Sequence, residues 1–358
     1  MIDIQLVNSP SERDARYRVV QWATGNIGTC ALRSVIEHPK LRLAGVYVHS
    51  DAKAGRDAGE LCGLAPIGVR ATRDVDAIVA LHADCVLYMQ QGFDADVLCK
   101  LLGSGSNVVT TRSEFHNPAR IDPALRERLE DACRRGGSSL HSTGSSPGFI
   151  TEALPLVLLS LQRRLDCIRI SEFADLSSRN SPELLFGLMG FNQPPDPLAC
   201  DARAHYLGAS FGPSLEIVAK ALGTPLDAIE SSGEVACARK PIRIAAGVIE
   251  PGKVAAQRTI IRGMRHGKPL CSFSATWFCG EDIDADWELR ATGWNLVVDG
   301  DTPLDVDIHF PVPLERWAET SPGLTAHRAV NAIPYVCDAE PGIRTSVELP
   351  QIIADLST

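Results

Sequence analysis

The sequence predicts an α/β protein in two parts: an N-terminal doubly wound parallel sheet, followed by a second α+β domain. Three observations predict it. From residue 17 to about 150, strand-like apolar runs alternate with helix-like runs, the pattern of a parallel sheet with crossover helices. The first run, Val19-Val20-Gln21-Trp22, passes into a glycine turn and then a helix-like segment. Beyond about Thr151 polar and apolar residues alternate along the runs, as in antiparallel strands with one covered face.

The turn after the first strand reads Ala23-Thr24-Gly25-Asn26-Ile27-Gly28. Such a turn leaves backbone N–H groups and the positive end of a helix aimed at one spot, which suits a pyrophosphate. It is a variant of the dinucleotide fingerprint, with Ala23 where the first glycine is usual. A strand–helix turn without a ligand is the plain alternative. The second strand, 41–49, ends in His49-Ser50, and Lys53 and Arg56 follow. NAD-binding chains carry an acid for the ribose roughly 20 residues after the glycines. A hydroxyl and two cations suit a 2′-phosphate better than a diol, so the expected cofactor is NADP. NAD stays open because Asp51 lies close by, and Lys53 and Arg56 also read as solvated loop charges.

Further strands are expected at 83–89, 107–111 and 138–141, with a helical piece at 97–102. Pro123 opens a charged helix over 123–135 that Gly136-Gly137 ends. In the second part a helix over 151–163 leads into a strand over 167–173. Strand-like runs follow at 242–249, 255–264, 270–278 and 287–298, and the Pro-rich stretch 192–197 reads as a surface loop. A helix over 325–334 is expected to return to the first domain. The boundaries are a flexible arm at 1–16, the Rossmann-type domain at 17–150, the α+β domain at 151–323 and the returning segment at 324–358.

A chain of 358 residues has ample length for two cores. Its net charge of −9 and lack of a basic run argue against nucleic acid. The most apolar stretch, 150–161, contains Glu152 and Pro155, so no membrane span is expected. The N-terminus lacks a basic region followed by an apolar core, hence no secretory signal. Eleven scattered cysteines without a CxxC pair suggest reduced thiols, with neither a disulfide frame nor a metal site. The expected compartment is the cytoplasm.

In open α/β sheets ligands gather outside the carboxyl ends of the strands. One segment ending there, Thr111-Arg112-Ser113-Glu114-Phe115-His116, offers a carboxylate directly after an apolar strand. Near a nicotinamide ring, Glu114 could serve as general acid and base for a carbonyl, hemiaminal or imine centre, provided burial lifts its pKa towards neutrality. An acid at a helix start is the alternative, and His116 reads better as a satisfied loop histidine. The turn Thr143-Gly144-Ser145-Ser146-Pro147-Gly148-Phe149 sits at the domain junction. Thr143 and Gly144 could hold cofactor, though a plain interdomain turn explains them too. Phe149 would supply a pocket wall, with His141 and Phe173 as further pocket candidates. Trp277 and Trp294 are expected in the core or a subunit interface.

WATGNIG at 22–28, VYVHS at 46–50, TTRSEF at 110–115, STGSSPGF at 142–149 and AVNAIP at 329–334 together resemble one family. It is the dihydrodipicolinate reductase-like group that contains 2,4-diaminopentanoate dehydrogenase and the native NAD(P)-dependent amine dehydrogenases. The resemblance runs from about residue 17 to the C-terminal region. It implies reductive amination of a small ketone or aldehyde with ammonia, and the reverse deamination, by nicotinamide hydride transfer. Glu114 would be the acid–base carboxylate, Asn331 would join the cofactor site, and the second domain would pair subunits in a homodimer. The His-His and Lys-rich motif of the reductase proper is missing from 177–186, which argues against lysine biosynthesis. The alternatives are a diamino acid dehydrogenase, for which Arg112 could clamp a carboxylate, and a non-catalytic NADP-binding sensor.

Overall fold

In the computed structural model, which describes residues 17–357, the N-terminal strands form one sheet. They are β1 (Tyr17–Trp22), β2 (Leu41–Tyr47), β3 (Ala71–Thr72), β4 (Cys85–Tyr88), β5 (Asn107–Thr110) and β6 (Ser139–Ser142). The expected arm at 1–16 lies outside the described residues. Helices alternate with these strands: α1 (Asn26–Glu37), α2 (Ala58–Leu61), α3 (Val75–Val79), α4 (Ala95–Gly103) and α5 (Pro123–Gly136). Every pairing is parallel, in the order β15-β6-β5-β4-β1-β2-β3, where β15 (Gly342–Arg344) comes from the C-terminal segment. The order reverses between β1 and β4, which opens a crevice at that edge. β4 and β5 are buried along their whole length because helices cover both faces of such a sheet.

Local chemistry sets the helix ends. Asp74, Asp94 and Asp122 each accept backbone N–H bonds at the starts of α3, α4 and α5. Gly137, at φ 62°, takes the left-handed position that closes α5.

The second sheet has six strands: β7 (Leu165–Asp175), β8 (Ala228–Cys237), β11 (Val254–Arg265), β12 (Lys268–Phe278), β13 (Gly293–Gly300) and β14 (Leu304–His309). Its order is β14-β13-β7-β12-β11-β8. Four of its pairings are antiparallel, but β7 and β12 run parallel. The run 242–249 is a separate hairpin of β9 (Ile242–Ile244) and β10 (Gly247–Ile249). The run expected at 287–298 becomes strand only from Gly293, where the Ile308 carbonyl oxygen lies 2.4 Å from where a Cβ would stand. Ile168 and Ile170 of β7, Phe273 of β12 and Leu296 of β13 face Phe211 and Leu215 of a 25-residue helix, α7 (Pro197–Ala221).

α7 had no clear sequence signal. Gly208, Gly212 and Pro213 interrupt it, and its glycines are there for close approach: Cβ atoms at Gly208 and Gly212 would lie 3.0 Å from Ser231 and 3.1 Å from Ile229. The segment Ser145–Ala153 is a wide turn in which Ser146, Pro147 and Gly148 are not helical, and it leads into α6 (Leu154–Leu159), which ends short of the expected 163. α8 (Leu314–Cys337) is longer than expected and lies on the first domain, where Ala326, Ala329 and Ile333 join Ala31, Leu32 and Val35 of α1 in one core. No helix among the described residues is long and apolar enough to cross a membrane, and all eleven cysteines are free.

Candidate active site

Because every strand of the first sheet runs the same way, the segments that follow β1, β2, β4, β5 and β6 emerge on one edge. The turn after β1 is built around two backbone features. Ala23 adopts φ 69°, the left-handed conformation that usually calls for glycine. Gly28 admits no side chain, since a Cβ there would sit 2.2 Å from the Ala23 carbonyl oxygen. Gly28→Ala should therefore destabilise the protein by about 1–3 kcal/mol, the usual range for forced overpacking. A thermal or denaturant titration against wild type reads this directly, and an unchanged midpoint would mean the turn can relax.

α1 differs from its neighbours in a way that matters for ligands. Its N-cap is Gly25, no side chain caps it and no acid lies in its first turn. The free N–H groups of Asn26 and Ile27 and the positive helix end thus meet no negative charge from the chain, as an anion site requires. Gly25 and Asn26 are exposed and Thr24 is buried. The arrangement fits a dinucleotide pyrophosphate.

Lys53 reaches across to this turn, its Nζ donating to the Thr24 carbonyl at 2.7 Å and to Thr24 Oγ1 at 3.1 Å. It was expected at the ribose, but in the structure it ties the β2 loop to the glycine turn. Arg56 is exposed, as are His49 and Ser50. Asp51, the residue that kept a ribose diol open, is ion-paired with Arg73, a third cation of this corner that the sequence reading did not pick out. Gln90, just beyond β4, was missed as well. Its Oε1 accepts from Trp22 Nε1 at 2.8 Å and from His49 Nε2 at 2.9 Å, so the proton of His49 resides on Nε2.

Glu114 sits on a short helical turn, Ser113–Phe115, beyond β5. Its neighbours anchor it. Phe115 is fully buried against Phe93, with ring centroids 4.9 Å apart, and the Arg112 carbonyl accepts from Ser142 Oγ at 2.7 Å. Glu114 itself stays outside, its side chain 41% exposed and paired with Arg112. Although it lies in a first helical turn, it accepts no backbone N–H among the described residues; its recorded partner is Arg112. It is not a capping acid of the kind seen at Asp94 or Asp122.

His116, read as a satisfied loop histidine, is just that. Its Nδ1 lies 2.8 Å from Glu152 Oε1, and both side chains are 1% exposed. Ser214 of α7 also donates to Glu152. Burial pushes the Glu152 carboxyl up, but His116 and Ser214 outweigh it and leave the group below its ordinary value.

The turn after β6 packs on α8. The Thr143 amide continues the sheet by donating to the Thr110 carbonyl at 2.9 Å. Ser145 Oγ and Thr325 Oγ1 share a hydrogen bond of 2.7 Å. A Cβ at Gly144 would stand 3.3 Å from Thr325, so the turn is held close to the helix. Asn331 lies half-buried further along α8.

A cavity of about 250 Å³ opens between that turn, α8 and the second sheet. Ser145, Ser146, Glu172, Trp294, Phe310 and Trp317 are among its lining residues. Phe173 also borders it, but strand alternation turns its ring to the other face of the sheet, where the Arg290 guanidinium lies 5.9 Å away. Phe149 stands behind the cavity, 6.3 Å from the Trp294 ring. His141, expected at the pocket, is instead wholly buried within β6, with Nδ1 2.8 Å from the Arg344 carbonyl of β15. Burial lowers its pKa to about 4, so it is a neutral structural group at neutral pH. Trp294, expected in the core, both fills the core and lines the cavity.

The C-terminal part of the chain, residues 205–357, matches the model of the 2,4-diaminopentanoate dehydrogenase C-terminal domain. An amine dehydrogenase of Streptomyces virginiae is 30% identical over 346 residues, covering 92% of this chain and 95% of that protein. The chain belongs to the amine dehydrogenase family. It is an oxidoreductase by that membership. Its fold is also that of the amine dehydrogenase structure from Mycobacterium smegmatis, at 20% identity and a TM-score of 0.72 over 96% of this chain and 98% of that one. A shorter likeness, 40% identity over 70 residues, links it to a 4-hydroxy-tetrahydrodipicolinate reductase of Agrobacterium fabrum, covering 19% of this chain and 25% of that one.

Proposed function

We propose that this member of the amine dehydrogenase family carries out NADPH-dependent reductive amination of a small ketone or aldehyde, and the reverse deamination, with Glu114 as acid and base. The observation that carries the reading is Glu114 itself. It is a carboxylate on the loop leaving β5, on the same sheet edge as the glycine turn, and it caps no helix.

The glycine turn and the α1 N-terminus would bind the pyrophosphate, with Thr143, Gly144 and Asn331 on the nicotinamide side. Bound NADPH supplies a hydride to the former carbonyl carbon. Glu114 takes a proton from ammonium, and the ammonia so formed adds to the carbonyl carbon to make a hemiaminal. The carboxyl then returns its proton to the hemiaminal hydroxyl, which departs as water. The carboxylate left behind stabilises the positive iminium, which is the form that accepts hydride. Arg112 holds the ionised Glu114 when no substrate competes for it.

The preference for NADP rests on the β2 corner. Arg56 and Ser50 are exposed there, and Asp51, the acid next to Ser50, is engaged by Arg73. Arg56→Ala should weaken NADPH about 10-fold or more while leaving NADH nearly unchanged, as expected for losing a charge-assisted phosphate contact. Lys53→Ala should weaken both, because its ammonium supports the pyrophosphate turn through Thr24. Equal losses for the two cofactors on removing Arg56 would overturn the phosphate assignment. The reading also takes the protein as a homodimer, which sedimentation velocity checks.

The deciding assay is NADPH oxidation followed at 340 nm with small aldehydes and ketones, with and without ammonium. Oxidation that requires ammonia and yields the amine is the expected result. Oxidation without ammonia would make the protein a carbonyl reductase, and binding without oxidation would favour the sensor.

A further inference from the structure

The inner face of the second sheet is apolar until its last rows. Along β7, Ile168, Ile170, Glu172 and Ala174 share that face by strand alternation, and only Glu172 is charged. Its cross-strand partners are Trp294 on β13 and Ala275 on β12. Two indoles hold it: Trp277 Nε1 donates to Oε1 at 3.2 Å and Trp294 Nε1 donates to Oε2 at 3.0 Å. Each carboxylate oxygen keeps a further lone pair. Among the described residues the recorded side-chain partners of Glu172 are these two indoles, and Arg179 also lines the cavity.

Glu172 is half-buried in this aromatic cavity and its recorded partners are neutral indole donors, so a ligand cation would find acceptor oxygens there. Phe310 stands edge-on to Trp294, with centroids 4.9 Å apart, and Trp317 lies 5.0 Å from Phe310. Aromatic faces beside a carboxylate attract ammonium groups by cation–π and ionic forces together. We propose that Glu172, held by Trp277 and Trp294, is a specificity-determining residue that receives a positively charged group at the non-reacting end of the substrate. The substrate class is then a ketone or aldehyde bearing a distal ammonium or alkylammonium group, and the corresponding diamine in reverse. This refinement rests on the reductive-amination reading for the reaction, but not for the binding of the cation.

Two measurements separate those claims. In the first, n-butyltrimethylammonium is titrated against the intrinsic tryptophan fluorescence of the whole protein, with no carbonyl present. Wild type should show a saturable change, and Glu172→Gln should bind at least about 10-fold more weakly. NADPH affinity of the variant serves as the folding control, and Glu172→Asp should recover part of the loss. In the second, a methyl ketone ending in trimethylammonium is compared with its carbon isostere ending in tert-butyl. Wild type should favour the cation through KM by at least about 10-fold, and Glu172→Gln should abolish that preference. Cation binding without any amination would sustain the Glu172 site and overturn the reaction. Amination with no cation preference, an equal loss for both ketones, or a preference governed by Arg179 would overturn the site and leave the reaction standing.

Discussion

Glu114→Gln is expected to lower reductive amination by at least about 10²-fold, the scale for losing a general acid–base group, while NADPH affinity stays within about twofold of wild type. The amide keeps the volume of the side chain and a hydrogen bond to Arg112, so the turn held by Phe115 and His116 should not move. What it cannot do is take a proton from ammonium and return one to a departing hydroxyl. The glycine turn and the β2 corner, which hold the cofactor in this reading, do not touch Glu114, hence the unchanged affinity.

A purely structural part for Glu114 makes a different prediction. With deuterated NADPH, wild type should show a primary isotope effect to the extent that hydride transfer limits the rate. If Glu114 moves protons, its loss makes hemiaminal dehydration limiting, and the isotope effect should shrink towards unity. If it only holds Arg112, the rate falls with the isotope effect intact. Turnover near the wild-type value would remove Glu114 from the chemistry altogether.

The first sheet was legible in the sequence because buried parallel strands are written as short apolar runs and their helices open on visible signals. Pro123 and the Gly136-Gly137 pair marked α5 to within a residue. α7 was illegible for a physical reason: its glycines are placed for close approach to β8, so the residues that pack it are the ones that break a helical pattern. At the site, sequence could place Glu114 after β5, since strand polarity alone puts it on the ligand edge. It could not place His141, because adjacency to Arg344 depends on β15, a strand of three residues some two hundred positions away. Glu172 did leave a signal, an acid continuing the apolar register of Ile168 and Ile170, although it reads as noise until Trp277 and Trp294 are seen to converge on it. The ion pair between Asp51 and Arg73 joins two loops and has no sequence pattern at all.

The second large effect is expected at Glu152. Glu152→Gln should destabilise the protein by about 3 kcal/mol, because it leaves His116 buried without its carboxylate. Replacing both partners together, His116→Leu with Glu152→Met, should recover much of that loss, since two apolar groups have no charge to desolvate. The pair also joins three parts of the molecule: His116 belongs to the loop that carries Glu114, Glu152 to the wide turn before α6, and Ser214 to α7. Faster amide exchange over residues 113–118 in Glu152→Gln, with kcat lowered and NADPH affinity kept, is therefore the expected signature. Acid adds a second readout. The folded carboxyl titrates below its ordinary value, so the unfolded chain binds the proton first as pH drops. Stability from this group is complete above the ordinary carboxylate range and is lost as pH falls through the folded value. His141 acts at higher pH: the unfolded chain protonates it near the ordinary 6.5 and the folded protein only near 4, so its share is lost across that interval. Glu152→Gln should flatten the acid limb that belongs to the carboxyl and extend the His141 loss below about 4, because Glu152 helps to hold the folded His141 pKa up. A variant as stable as wild type at neutral pH, with an unchanged acid limb, would show that the buried pair contributes no net stability and that Phe115 and the Ser142–Arg112 hydrogen bond suffice to hold the Glu114 loop.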